Sequence, residues 1–135
     1  MIELSKEKPY EDACKILGLR PVANYKSYKL TDETRNFIKL ETVAKALNEG
    51  WKPTTIDPKE VRYYVWGWNY TDNRKPSGLL AVSSFDGLGS AYAAVGTSLE
   101  FKDRDTAKEF ARMCKPMIVK YLFGRDDHEN FKFDF

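Results

Sequence analysis

Aromatic and cationic side chains concentrate between residues 61 and 75, where their types suit binding by stacking and hydrogen bonding. In an extended strand, successive side chains point to opposite faces. One face of a strand at residues 61–70 would therefore carry Tyr64, Trp66, Trp68 and Tyr70. The cations in or near this stretch are Arg62, Arg74 and Lys75. The pattern fits two partners: a protein surface, or single-stranded nucleic acid whose bases stack on the rings while the cations meet phosphates.

Two arrangements of these four aromatic side chains remain open. They either pack beneath helices as part of the core, or form an exposed or half-exposed ridge. Their full burial would contribute on the order of 15–25 kcal/mol as an upper bound, so a free monomer rarely leaves all of them wet. A predicted third strand at residues 91–101 has one large apolar face and one flatter face. If the aromatic side chains share the flatter face, they make a contact surface for a partner.

Catalytic and metal-binding patterns are weak in this sequence. Its one histidine, His128, lies near the C-terminal end beside Asp126, Asp127 and Glu129, without the fixed spacing of known metal sites. The glycine-containing stretch at residues 86–98 matches neither the phosphate-binding loop nor the dinucleotide fingerprint. We therefore expect a protein that is not an enzyme and that carries no cofactor and no metal.

Composition predicts one domain. The chain has 135 residues, of which 42% are hydrophobic, enough for a single core. Its 22 basic and 20 acidic residues are mixed along the chain, which argues against nucleic-acid binding driven by overall charge. No signal peptide or membrane-spanning run is evident, so we expect a cytoplasmic protein. Cys14 and Cys114 lack a paired-cysteine motif, and we expect both to be reduced and buried.

The first part of the chain has helical periodicity. Apolar residues with helical spacing predict a helix at about residues 9–17, with Pro9 in its first turn and Gly18 at its end. Thr31 is a suitable N-cap for a second helix, which the sequence predicts to end at Gly50.

The pattern then changes to strands. Alternating residues predict strands at about residues 61–70, 79–85 and 91–101, separated by loops rich in turn formers at 71–78 and 86–90. Links this short favour antiparallel pairing. The expected fold is α+β: a three-stranded antiparallel meander with helices packed on one face, in the order α-α-β-β-β-α.

Residues 103–123 have helical spacing throughout, although Pro116 lies within them. A kinked helix is favoured because the apolar phase continues across the proline. The alternative is a helix that ends near Lys115, followed by a strand at residues 117–123. With either arrangement, we expect one domain at residues 1–124. Residues 125–135 would form a polar C-terminal tail, disordered or locally packed.

Five segments of the sequence share a pattern with a known group of proteins: residues 10–18, 46–53, 62–66, 76–78 and 101–102. In these segments the chain resembles small uncharacterised proteins of tailed phages and prophages of gut anaerobes. The resemblance implies a phage or mobile-element origin and a role in virion assembly, phage DNA metabolism or interference with a host protein. Together with the aromatic strand, it leads us to expect a non-enzymatic binding protein of the host cytosol or virion, acting on a protein partner or on itself. Single-stranded nucleic acid is the alternative partner.

Overall fold

The computed structural model describes residues 2–21, 30–52, 60–72, 75–86 and 97–135. The elements are α1 (Pro9–Leu17), α2 (Asp32–Leu47), β1 (Val61–Asp72), β2 (Lys75–Asp86), β3 (Glu100–Phe101), α3 (Arg104–Met113), α4 (Lys115–Phe123) and β4 (Phe131–Phe133). Single 3-10 turns occupy Thr97–Leu99 and His128–Asn130. The α+β class is confirmed. The observed order differs from the predicted one in two ways: the last helix is divided into α3 and α4, and a further strand, β4, follows them.

Local signals set the ends of the first two helices. Gly18 ends α1 with φ 68°, a left-handed conformation that glycine adopts without strain, and the Leu19 amide donates to the Cys14 carbonyl at 2.8 Å. The Thr31 hydroxyl accepts a hydrogen bond from the Thr34 amide at 3.2 Å and so caps α2. Both helices begin as predicted, but α2 ends at Leu47, before Gly50.

Pro116 marks a break between two helices. The chain leaves helical geometry at Cys114, with φ −111° and ψ 18°, and α4 begins at Lys115 with the proline in its first turn. A proline fits there because the first amides of a helix have no partner within it. The predicted single kinked helix is therefore wrong in detail, and the alternative strand at residues 117–123 is also wrong.

The sheet has four strands in the order β3-β1-β2-β4. β1 and β2 form an antiparallel hairpin whose register runs from Val61 opposite Asp86 to Asp72 opposite Lys75. β3 pairs antiparallel with β1, and β4 pairs parallel with β2. The predicted all-antiparallel meander is therefore wrong, because the third strand lies beside the first and the outer edge of β2 is taken by β4. Only Glu100–Phe101 of the predicted strand at residues 91–101 forms a strand within the described residues.

β4 comes from the segment for which the sequence predicts a polar tail. Phe131 is fully buried, lies against Gly78 and stacks on Phe123 with ring centroids 5.1 Å apart. The Asp134 amide donates to the Leu80 carbonyl at 2.8 Å. Just before β4, hydrogen bonds from Arg125, and then from Asn130, hold the pKa of the Asp127 carboxyl well below its usual range.

The helices cover one face of this sheet. Core residues of the strands on that face are Val65, Leu80, Val82, Phe101 and Phe131, and they join Leu40, Phe110 and Ile118 of the helices. Cys14 and Cys114 are free and buried, and burial raises the pKa of the Cys114 thiol to about 12. None of the described helices is both long and apolar enough to cross a bilayer.

Candidate functional site

The sheet face opposite the helices carries the aromatic side chains of β1. Strand alternation places Val65 in the core, and with it Tyr63 and Gly67, so the neighbouring even-numbered residues point the other way. Residues directly opposite in an antiparallel pair share a face. The register therefore adds Leu79, Ala81 and Ser83 of β2 beside Trp68, Trp66 and Tyr64. We call these six residues the aromatic face.

Exposure rises along the aromatic face towards Trp68. Tyr64 and Trp66 are half-buried, whereas Trp68 remains 47% exposed. The rings of Trp66 and Trp68 lie 5.2 Å apart between centroids, tilted by 52°. Across the strand, Leu79 is half-buried, and Ala81 is buried beside Trp66. The face thus presents a paired indole surface with aliphatic neighbours.

A buried ion pair lies on the same side of the sheet. The register sets Glu100 opposite Tyr64, and its carboxylate lies 3.1 Å from Nε of Arg62, with 0% and 1% of the two side chains exposed. Burial raises the pKa of Glu100, the positive charge of Arg62 lowers it, and Glu60 raises it. The backbone of Glu100 is held in turn by Asn48, whose Nδ2 donates to its carbonyl at 2.9 Å.

The binding residues predicted from the sequence fall into three groups: those on the aromatic face, one that is buried, and those outside the described residues. Tyr64, Trp66 and Trp68 share the aromatic face. Arg62 shares their side of the sheet, but its guanidinium is buried with Glu100 and does not present its charge to solvent. The side chains of Tyr70 and Lys75, and all of Arg74, lie outside the described residues.

Sequence reasoning missed three contributors on this side of the sheet: Leu79, Glu100 and Lys132. Leu79 was detectable from the alternation of β2 once its register with β1 was known. Glu100 and Lys132 become neighbours of the face only through pairing of strands that are distant in sequence. Lys132 of β4 is opposite Leu79 and exposed, so it contributes a cation at the edge of the face.

The larger grooves lie elsewhere. One of about 470 Å³ is bordered by Leu17, by Glu41, Lys45 and Asn48 of α2, and by the residues that follow α2, including Trp51. Among the residues that the structure describes, no group of three or more His, Cys, Asp or Glu side chains is arranged to hold a metal ion. His128 lies 3.8 Å from the Glu129 carboxylate at the protein surface.

The fold and this surface define an α+β protein with one helical layer and an aromatic sheet face. No protein-family model, no curated protein and no solved structure matches the chain.

Proposed function

We propose that the chain is a non-enzymatic binding protein that makes protein–protein contact through the aromatic face, either with a partner or with a second copy. The observation that carries this proposal is that Trp68 is 47% exposed, although its ring packs against that of Trp66 on the same side of the sheet. Tryptophan and tyrosine dominate the energetic centres of protein interfaces because they combine large apolar rings with polar ends.

The exposed part of Trp68 is large enough to matter energetically. An exposed fraction of 47% of an indole side chain corresponds to roughly 100 Å² of surface, and burying it contributes about 2–3 kcal/mol. That value is the scale of an interface hot spot. Leu79 and Trp66, which are only half-buried, extend the same patch across two strands and supply the surrounding apolar contact.

Single-stranded nucleic acid fits this face less well than a protein does. Stacking platforms for bases work together with exposed cations that follow the phosphates. Arg62 would be the nearest cation in β1, yet it is buried in an ion pair with Glu100. The exposed cation described beside the rings is Lys132 at the edge of the face, and a single cation does not follow a chain of phosphates.

The resemblance to phage proteins gives this proposal its setting. A small binding protein of that origin would act in virion assembly or by occupying a host protein in the cytosol. Both roles require a surface that contacts another protein and do not require catalysis. The aromatic face would supply that surface.

Trp68→Ala tests the proposal. Light scattering across protein concentrations, and capture of partners from host and infected-cell lysates, should show association for the unmodified chain. The variant should bind about 30- to 150-fold more weakly, because it removes about 2–3 kcal/mol of buried apolar contact. The matched control is Tyr121→Ala, which removes an aromatic side chain that is 40% exposed but lies on the helical layer. A single-chain mass at all concentrations with no captured partner, or equal weakening by both variants, would contradict the proposal.

A further inference from the structure

A row of cations runs along α3 and continues into the start of α4. Its members are Arg104, Lys108, Arg112 and Lys115. Arg104, Lys108 and Arg112 follow at intervals of four within α3, so they are neighbours on one side, and each step advances about 6 Å along the axis. Lys115 lies beyond the break at Cys114 and is linked to the others through the rings of Phe133 and Phe135. We call these four residues the α3 cation row. It is separate from the aromatic face, because α3 packs on the opposite side of the sheet.

Aromatic rings contact all four cations of this row. The Lys108 ammonium and the Arg112 guanidinium lie 5.7 Å and 5.2 Å from the ring centroid of Phe135. Lys115 lies 5.3 Å from the ring of Phe133, and the two phenylalanine rings are 5.0 Å apart. At the other end, Arg104 lies 5.2 Å from the ring of Tyr63 and donates to the Val82 carbonyl at 3.1 Å.

These contacts position the cations without cancelling their charge. A ring attracts a cation through its quadrupole and carries no net charge, unlike a carboxylate. Of the four cations, only Arg112 pairs with a carboxylate within the described ranges, namely that of Glu109 at 3.3 Å. Arg104, Lys108 and Lys115 have no ion-pair partner among those residues. The row therefore has three positive charges with no described carboxylate within 4.0 Å.

We propose that the α3 cation row, with the rings of Phe133 and Phe135 beside it, is a binding surface for single-stranded nucleic acid. The unpaired cations complement a chain of phosphates, since neutralising phosphates releases their condensed counterions. Phe135 is 38% exposed, and Phe133 is half-buried next to it. Planar rings among regularly spaced cations suit bases that stack, which an acidic peptide does not offer.

The test measures binding of a fluorescently labelled oligothymidylate to the full chain at low salt by polarisation. The variant Arg104→Gln/Lys108→Gln/Lys115→Gln should lose at least about tenfold in affinity. Its plot of log affinity against log salt should be shallower by about 2, since each phosphate contact with a single strand contributes about 0.7 to that slope. Lys15→Gln/Lys45→Gln/Lys52→Gln removes the same charge from exposed sites on and just after α1 and α2 and should bind as the unmodified chain does.

Two further variants test whether positive charge on α3 and α4 is what binds the oligonucleotide. Lys108→Arg/Lys115→Arg keeps the charges and should keep the affinity. Ile16→Ala should leave the affinity unchanged, because it removes an exposed apolar side chain of α1, outside the α3 cation row. The proposal is overturned if the unmodified chain does not bind the oligonucleotide at low salt, or if both triple variants weaken equally. Displacement by polyglutamate as effective as by unlabelled oligonucleotide, or binding only to vesicles of anionic lipid, would also overturn it.

Discussion

Gly78→Ala lowers the free energy of unfolding by about 1–3 kcal/mol, because the position where β4 pairs with β2 opposite Phe131 has no room for a methyl group. A Cβ built on Gly78 lies 2.7 Å from Cζ of Phe131 and closer still to two other atoms of that ring. Phe131 has little freedom to retreat, since it is 0% exposed and stacked on Phe123. Urea denaturation followed by circular dichroism measures the loss.

A double-mutant cycle identifies the cause. Phe131→Leu removes part of the ring and should itself destabilise the fold, but combining it with Gly78→Ala should cost less than the sum of the two changes. Ser84→Ala, at an exposed position of the same strand, should change stability by no more than about 0.5 kcal/mol. Strict additivity of the pair, or a Gly78→Ala protein as stable as the unmodified chain, would show that β4 does not dock as described.

Arg62→Met lowers the free energy of unfolding by about 3–5 kcal/mol near neutral pH, because it leaves the Glu100 carboxylate buried without its countercharge. The carboxylate is 0% exposed, and Arg62 is the positive charge that lowers its pKa. Arg62→Met/Glu100→Leu removes both charges and should be more stable than Arg62→Met alone. The control Arg112→Met breaks an ion pair whose arginine is 47% exposed and should cost less than about 1 kcal/mol.

The penalty of Arg62→Met should also depend on pH in a defined direction. Burial already raises the folded-state pKa of Glu100 above its ordinary value of 4.5, and loss of Arg62 raises it further. Between pH 4.5 and the raised folded-state pKa, Glu100 binds its proton more tightly in the folded state than in the unfolded state, so stability falls as pH rises. The difference between variant and unmodified chain should be smallest below pH 4.5 and grow towards neutrality. A penalty that is constant with pH would show that the lost charge is not what destabilises the variant.

Local sequence signals were sufficient where the structure depends on neighbouring residues. The bounds of α1 follow from Pro9, Gly18 and the apolar spacing between them, and Thr31 caps α2 as expected. The strands β1 and β2 were placed by alternation, although they extend into the loop predicted at residues 71–78. Each of these features is encoded within a few residues.

Features that depend on distant pairing were not predictable. β4 is three residues long, too short for an alternating pattern, and becomes a strand only because Gly78 and Phe123 receive Phe131. The burial of Arg62 depends on β3 lying beside β1, which brings Glu100 within 3.1 Å. Alternation along the strand did predict that Tyr64, Trp66 and Trp68 share one face. It did not show which face the helices cover, because that depends on the packing of Val65 in the core.

The most direct test of the aromatic face follows the accessibility of Trp68 itself. In a Trp51→Phe/Trp66→Phe chain, the remaining indole emission comes from Trp68, and iodide quenching reports its exposure. We expect efficient quenching in dilute protein, where the indole is 47% exposed, and protection from iodide at high concentration or in the complex with a captured partner. Equal quenching at every concentration and in that complex would contradict the claim that association occurs through this face.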